Sequence, residues 1–345
     1  MRLARLHEES GQSLILGTFS VLALLLVTAF SIDVGLATGQ KANLQNAVDA
    51  AALAGASALP GQPDVALQRA QQMLEDNGIT STDSVTLQVL STATSNDTLR
   101  AYAQRELQAQ FASVAGINSI SVSVDASARI GSAVGLDRFI PFAILDDSLT
   151  GLVSGGALTL VYNANDPVSG NSLAIAFPGN SGASDFRASI SNGSSNEFCA
   201  ASDPYPGCPT VLQSEPGNMV GPTRQGFDDL VQNTVASCDT YNEVFQPLPD
   251  DPARTGLNPA CNPFPPFNVT GSKRVAILPV IQQLCSGRCD LPIVRFSLFF
   301  VQGVQCNGGS CQVDGLYASD MSGVRGGRFG AYDPLSAFNS VKLIE

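Results

Sequence analysis

The distribution of hydrophobic residues divides the chain into one long apolar run near the N-terminus and a much longer remainder of short, alternating segments. Residues 11–32 contain no charged side chain and have a Leu-rich centre. As a helix this run would be about 33 Å long, enough to cross a hydrocarbon core of about 30 Å. We therefore predict a transmembrane helix over 11–32, preceded by a cytoplasmic stub of residues 1–10. A cleaved signal peptide is the alternative, but signal sequences have a shorter apolar core of about 7–15 residues.

The positions of the basic residues predict how the helix is oriented. Arg2 and Arg5 precede the apolar run, whereas Lys41 is the one basic residue that lies close after it. Because cytoplasmic flanks carry the excess of Lys and Arg, we predict a single-pass membrane protein with a cytoplasmic N-terminus and an extracytoplasmic bulk.

Residues 33–59 are rich in strong helix formers and end at Pro60-Gly61, so the helix is expected to continue as a stalk. A seam of mostly small residues recurs along it at intervals of four and three: Ala37, Lys41, Leu44, Val48, Ala51, Gly55 and Ala58. Two interpretations stay open for the seam: assembly with partner helices, including self-association, or packing on the protein's own globular domain. Asp33 is interpreted as the polar end of the span, the alternative being a pairing role at the outer interface.

Residues 60–131 predict a small α+β module. The expected elements are a helix over 63–77, strands over 84–90 and 98–104, a helix over 105–115 closed by Gly116, and a strand over 120–130. Together they would form a three-stranded sheet with two helices on one face.

Residues 132–345 differ in composition from the preceding part, with frequent Pro, Gly and Asn between short apolar runs. Strands are predicted over 158–162, 173–177, 274–281, 293–304 and 312–317, and a helix over 224–237 with Thr223 as its N-cap. The predicted fold class is α+β: the N-terminal transmembrane helix extended into a stalk, the small α/β sandwich module, then a mostly β domain held by disulfides.

The cysteines support an extracytoplasmic location for this last domain. All eight lie after residue 198: Cys199, Cys208, Cys238, Cys261, Cys285, Cys289, Cys306 and Cys311. An even number in one region predicts a disulfide framework. Zinc knuckles are disfavoured because the spacings differ from the usual two-residue intervals and no His lies nearby. The pairing stays open, except that Cys285/Cys289 and Cys306/Cys311 are expected to pair locally or crosswise with each other.

Composition removes several classes of function. The net charge of −12 argues against a nucleic-acid partner. The single histidine, His7, lies on the predicted stub, which excludes Ser-His-Asp and Cys-His catalysis from the external part. Residues 323–327 are Gly-rich but lack the strand and helix of a nucleotide-binding loop, and are expected to form a plain loop. We predict no catalytic residue, no cofactor and no metal site.

Three pairs of adjacent aspartates suggest an alternative, chemical function. Asp146-Asp147, Asp228-Asp229 and Asp250-Asp251 could act as a glycosidase-like acid and base or bind calcium. The alternative function is therefore a surface-anchored hydrolase or a calcium-dependent binding protein. We favour solvated loop or helix-start positions, with Asp228-Asp229 in the first turns of the predicted helix. The cations Lys273, Arg274, Arg325 and Arg328 are interpreted as isolated surface charges.

Four features near the N-terminus carry a family resemblance. The combination of Gly11-Gln12-Ser13, the apolar helix, SIDVG at 31–35 and LQNAVDAAALAGA at 44–56 closely resembles the N-terminal domain of TadG-like and TadE-like proteins of the tight-adherence (Flp) pilus system. The resemblance covers about residues 8–60. Residues 139–144 and 215–223 are similar to stretches that lie C-terminal to this anchor in some bacterial relatives.

The resemblance implies a bacterial envelope protein associated with pilus assembly or surface secretion, with other pilus-assembly or envelope proteins as partners. It does not imply catalysis. Pseudopilins of this system are usually cleaved after a Gly that has a Glu at the fifth position beyond it, but the fifth residue after Gly11 is Leu16. We therefore expect an uncleaved N-terminus and a non-enzymatic protein that acts by protein–protein assembly.

Overall fold

A computed structural model describes residues 10–179, 182–203, 205–234, 236–248, 255–264, 271–319, 321 and 328–344. The chain divides into two compact units, residues 1–129 with 341–345, and residues 130–340.

One uninterrupted helix, α1 (Ser10–Ala56), begins the first unit. It contains no proline and is rich in Ala and Leu, which have the highest helix propensities. It covers the predicted transmembrane helix and most of the predicted stalk, which confirms one long apolar N-terminal helix. From Leu44 onward one side of it is buried, so this part is not a free stalk.

The rest of the first unit is a helix and an antiparallel sheet. The helix is α2 (Pro63–Asp76), and the strands are β1 (Ser84–Leu90), β2 (Thr98–Gln108) and β3 (Ser119–Leu136), joined in the order β1-β2-β3. Residues of β3 up to Arg129 belong to this unit. Both α1 and α2 contact β2, and the core between helices and sheet is made of small and branched apolar residues: Leu44, Val48, Ala66, Ala70, Leu74, Leu99, Ala101 and Ala103.

The helix predicted over 105–115 is wrong. Residues 105–108 continue β2 and pair with β3, with Arg105 opposite Val122 and Gln108 opposite Ser119. Only Ala112–Ala115 forms a short 3₁₀ turn, which ends at Gly116 with φ of 86°. Cross-strand pairing overrides the local helix propensity of this stretch. The second helix on the sheet is the C-terminal half of α1.

Among its described residues, the second unit contains a large sheet and three α-helices. The helices are α3 (Ala183–Asn192), α4 (Val220–Gln232) and α5 (Tyr241–Val244). The strands are β4 (Phe142–Leu145), β5 (Ala157–Asn163), β6 (Ser172–Ala176), β7 (Phe198–Cys199), β8 (Val211–Ser214), β9 (Phe245–Pro247), β10 (Thr255–Leu257), β11 (Val275–Ile281), β12 (Asp290–Pro292), β13 (Arg295–Asn307), β14 (Ser310–Ala318), β15 (Arg328–Phe329) and β16 (Asn339–Ile344). The last residues of β16, from Val341, belong to the first unit.

Eight of these strands form one sheet in the order β12-β8-β6-β4-β11-β13-β14-β5. Its pairs are antiparallel except β4 with β11. Every residue of β11 is buried because apolar clusters cover both faces of the sheet. Phe227 on α4 and Phe186 on α3 pack on Phe142 from one face. The prediction of a mostly β part is confirmed.

Two predictions about helices in this unit need correction. The helix predicted over 224–237 begins at Val220 with Met219 as N-cap, so Thr223 lies inside it and is no cap. Asp228 and Asp229 consequently fall in its C-terminal half and not in its first turns. Helix α3 is an element that the sequence did not predict, because its ten residues are mostly small and polar.

Candidate functional site

The N-terminal half of α1 exposes an almost continuous apolar surface. Its large side chains are between 44 and 72% exposed: Leu14, Ile15, Leu16, Phe19, Val21, Leu22, Leu24, Leu25, Leu26, Val27, Phe30, Ile32, Val34 and Leu36. The most apolar window of this helix has a mean hydropathy of 2.3. The helix is long and apolar enough to cross a membrane, and it is the one such helix among the described residues.

The hydroxyl groups on this surface are satisfied within the helix. Thr18, Ser20, Thr28 and Ser31 each donate a hydrogen bond of 2.8 Å to the backbone carbonyl four residues earlier. A hydroxyl with such a partner does not need water. The polar residues are therefore compatible with a lipid environment.

Asp33 joins α1 to the turn between β2 and β3. Its side chain is buried and accepts hydrogen bonds from the backbone N–H groups of Gln110 at 3.0 Å, Phe111 at 2.9 Å and Ala112 at 2.6 Å. These donors lie at the start of the 3₁₀ turn, where N–H groups have no partner in the turn itself. The interpretation of Asp33 as merely the polar end of the span is wrong: it pairs with the module's own backbone.

Arg105 makes a second connection between β2 and its neighbours. Its guanidinium contacts the Asp83 carboxylate at 2.7 and 2.8 Å and donates to Gln40 Oε1 at 3.2 Å and to the Gly78 carbonyl at 3.0 Å. The hydrogen bond from Arg105 lowers the pKa of Asp83 to about 2. Through these contacts Arg105 connects β2 to α1, to the loop after α2 and to the residue that precedes β1.

The predicted seam lies against the module's own helix and sheet. Leu44, Val48, Ala51, Gly55 and Ala58 are buried, whereas Ala37 is half-buried and Lys41 is exposed. A Cβ atom on Gly55 would lie 2.6 Å from Leu99 Cδ1 and 2.8 Å from the Ala66 carbonyl oxygen. Of the two open interpretations, the geometry matches packing on the protein's own domain.

Asp97 organises the opposite end of the sheet, in the turn between β1 and β2. Burial by itself would raise the pKa of this carboxyl, but backbone N–H groups of Thr92, Thr94 and Ala93 donate to it and lower the pKa to about 2. The turn is held by a charged acceptor, as the other turn is by Asp33.

In the two acidic pairs that the structure describes in the second unit, one carboxylate of each pair contacts an arginine. Arg295 binds Asp333 at 2.6 Å and also contacts Asp146. Asp229 lies 2.7 Å from Arg187 in the groove between α3 and α4. Asp250-Asp251 lies outside the described residues. Within the described part of the chain, no group of three or more His, Cys, Asp or Glu side chains is placed to hold a metal ion.

The predicted isolated cations have partners in two cases. Arg274 binds Asp239 at 2.6 Å, and the guanidinium of Arg328 lies 3.3 Å from the centre of the Tyr205 ring. Lys273 is exposed. Arg325, residues 323–327, and His7 with the predicted stub up to residue 9 lie outside the described residues.

The eight cysteines form four disulfides. The pairs are Cys199–Cys208, Cys238–Cys261, Cys285–Cys289 and Cys306–Cys311. Of the two arrangements that the sequence left open for the last four cysteines, the structure has the local one. Cys306 and Cys311 face each other across the β13–β14 hairpin.

The segment that forms α1 matches the model of a known protein family. Residues 11–58 match the family model described as putative Flp pilus-assembly, TadE/G-like. This Tad segment begins one residue into α1 and ends just after it. It therefore includes the exposed apolar half, Asp33 and the buried seam. No curated protein and no solved structure gives a significant match.

The sequence indicated the Tad segment and left packing on the protein's own domain as one of two interpretations, but it did not identify the residues that contact this segment. The partners of Asp33 are backbone N–H groups, which every residue type offers, so no side-chain pattern marks them. One signal was available: residues 107–118 carry no charge although they connect two strands at the surface.

Proposed function

We propose that the protein is a non-enzymatic, membrane-anchored bacterial envelope protein of a Flp/Tad-type pilus-assembly or surface-secretion system, and that it acts by protein–protein assembly. The observation that carries this proposal is the coincidence of the Tad match with α1. The matched segment contains an exposed apolar surface that is suited to a lipid environment. It also contains Asp33, which binds backbone N–H groups of the module, and a C-terminal half that packs on the module.

The proposed topology places the N-terminus in the cytoplasm and residues from Asp33 onward outside. Arg2 and Arg5 before the span support this orientation. The four disulfides support it independently, since disulfides persist in oxidising compartments.

The surface proposed for assembly is not the seam of α1, whose buried residues are used inside the module. It is the face of the first unit's sheet that lies away from the helices, with the free edge of β1. This face presents polar side chains such as Arg100, Gln104 and Ser121, and β1 has a neighbour on one side only among the described strands. An unpaired edge accepts an extended segment of another protein by strand addition.

Topology is tested by protease treatment of spheroplasts and of inverted membrane vesicles, with tags at both ends of the full chain. We expect the C-terminal tag to be digested only in spheroplasts and the N-terminal tag only in inverted vesicles. Digestion of both tags on the same side, or release of the protein by alkaline washing, would contradict a single-pass anchor.

Assembly is tested by photo-crosslinking in the encoding bacterium. A photoreactive residue at the exposed position Thr86 of β1 should crosslink to a pilus-assembly or envelope protein, while one at exposed Gln71 of α2 serves as the control. Deletion of the gene should reduce surface pili, and the wild-type chain should restore them. Unchanged pili together with no β1-dependent crosslink would refute the proposal.

A further inference from the structure

The turn between β2 and β3, residues 109–118, exposes three large apolar side chains. Val114 is 82% exposed, and Phe111 and Ile117 are each 45% exposed. The stretch 107–118 contains no charged residue. An exposed apolar cluster without charges marks a surface that is covered by something other than water.

Contacts within the first unit place this turn beside the end of the membrane span. Strand β2 runs antiparallel to α1: Leu99 lies next to Gly55, Arg105 binds Gln40, and Ala112 binds Asp33. The turn therefore lies at the end of the module nearest to the exposed apolar half of α1. The apolar surface of α1 itself continues past Asp33 to Leu36, and the first exposed charge after it is Lys41.

Seven backbone N–H groups of the turn have partners within the protein. Asp33 accepts the N–H groups of residues 110–112. The N–H groups of Ala109, Val114, Gly116 and Ile117 donate to carbonyl groups within the turn or at its base, at 3.0 to 3.1 Å. Irregular backbone can enter a poorly hydrated environment only when its polar groups have such partners.

We propose that this turn inserts Phe111, Val114 and Ile117 into the outer membrane–water interface beside α1, as a second contact with the lipid. Its role is to fix the height and tilt of the module on the bilayer. This inference rests on the membrane anchoring proposed above. Lipid is favoured over a protein partner because the patch continues the apolar surface of the span, carries no charge, and lies level with the residues where that span ends.

The chain contains no Trp, so a single introduced Trp reports on one position. The test compares three variants of the full chain in phosphatidylcholine vesicles, with and without bromine atoms on the acyl chains. V114W reports on the turn, L25W reports on the span, and S95W is the control in the exposed β1–β2 turn at the opposite end of β2. I117W repeats the measurement if V114W fails to fold.

Because interfacial apolar groups lie about 5–10 Å below the surface, bromine should reduce the emission of V114W roughly twofold, and that of L25W at least as much, while S95W stays unquenched. If L25W is quenched and V114W is not, the turn does not insert although the anchor does. A blue-shifted but unquenched V114W would mean that protein, such as a second copy, covers the turn, which also overturns the proposal. If L25W is unquenched, the anchoring itself is refuted, and the insertion with it.

Discussion

The carboxylate of Asp33 accepts a hydrogen bond of 2.6 Å from the backbone N–H of Ala112. Two more N–H groups, those of Gln110 and Phe111, donate to the same carboxylate. One residue of α1 therefore accepts the N–H groups at the start of a turn that is distant in sequence. Hydrogen bonds to an ionised acceptor are roughly twice as strong as those between neutral groups. The end of the apolar span and the β2–β3 turn are consequently held together as one folded structure.

Replacing Asp33 with Asn should loosen this connection. The amide keeps the shape of the side chain but offers a single acceptor oxygen and turns an NH₂ group toward backbone donors. We expect the free energy of unfolding to fall, because three hydrogen bonds to a charged acceptor are weakened. Denaturant unfolding of the full chain in detergent micelles measures this loss, and hydrogen exchange at residues 110–112 should accelerate.

The matched control is Asp125→Asn in β3, which removes the same charge from the same unit. Asp125 is half-exposed and its ion pair with Arg100 lies at the surface. The control should therefore change stability by less than about 1 kcal/mol. Equal effects of the two substitutions would show that the Asp33 hydrogen bonds have no special role.

Gly55 and Gly39 provide a second matched comparison within α1. A Cβ on Gly55 would lie 2.6 Å from Leu99 Cδ1 and 2.8 Å from the Ala66 carbonyl oxygen, whereas a Cβ on Gly39 would have no neighbour within 4 Å. Gly39→Ala should raise stability by up to about 1 kcal/mol through helix propensity. Gly55→Ala should instead lower it by about 1–3 kcal/mol, because the helix, α2 and β2 must separate.

Thermal unfolding of both variants beside the wild type measures the difference. A stabilised Gly55→Ala variant would show that α1 does not pack this closely on the module. The same geometry predicts that charged residues at Ala51, Gly55 or Ala58 disrupt the first unit itself, and not only its association with partners.

Local sequence patterns predicted those elements whose conformation depends mainly on neighbouring residues. The alternation of Val85, Leu87 and Val89 predicted β1 with the bounds that the structure has. The same reasoning failed for 105–115, because the sequence of Arg105–Gln108 forms helices as readily as strands, and only pairing with β3 decides between them. The start of α4 was misplaced because no side chain caps it.

The candidate site was predictable in outline only. The apolar run, the family motif and the small residues of the seam are visible in the sequence, but what covers the seam depends on long-range packing. Gly55 opposite Leu99 joins residues from different elements, and neither residue type identifies the other. The roles of Asp33 and of the uncharged turn depend on this packing and could not be derived before it.

The disulfides of the second unit should differ in their contribution to stability. Cys238–Cys261 closes a loop with a sequence separation of 23, whereas Cys306–Cys311 spans 5 residues across a hairpin that β13 and β14 already form. Loop entropy assigns them about 3 and about 2 kcal/mol. Cys238 and Cys261 are also buried in an apolar cluster, so their loss leaves unfilled space.

Paired Cys→Ala substitutions in the full chain, followed by denaturant unfolding, measure the contribution of each disulfide to stability. The variant without Cys238–Cys261 should be the less stable of the two by at least about 1 kcal/mol. The reverse order would show that the hairpin depends on its disulfide more than on strand pairing.

The ion pair of Asp83 with Arg105 should make stability depend on pH in the acid range. The folded state holds the pKa of Asp83 at about 2, below the ordinary value of 3.8. A lowered folded-state pKa stabilises the protein fully above the ordinary value, and this stabilisation is lost as the pH falls from 3.8 through about 2. Since the Asp83 side chain is buried, we expect the share of this one group to be about 2 kcal/mol.

Asp83→Asn should therefore lower the free energy of unfolding by about 2 kcal/mol near neutral pH and by almost nothing once the wild-type carboxyl is protonated. Asp97, with a pKa also held at about 2, keeps part of the acid dependence in this variant, so the slope should decrease without vanishing. Denaturant unfolding at a series of pH values, with Asp125→Asn as the exposed control, measures the slope. A loss for Asp83→Asn that is the same at both ends of the series would mean that the side chain contributes through packing and not through its charge.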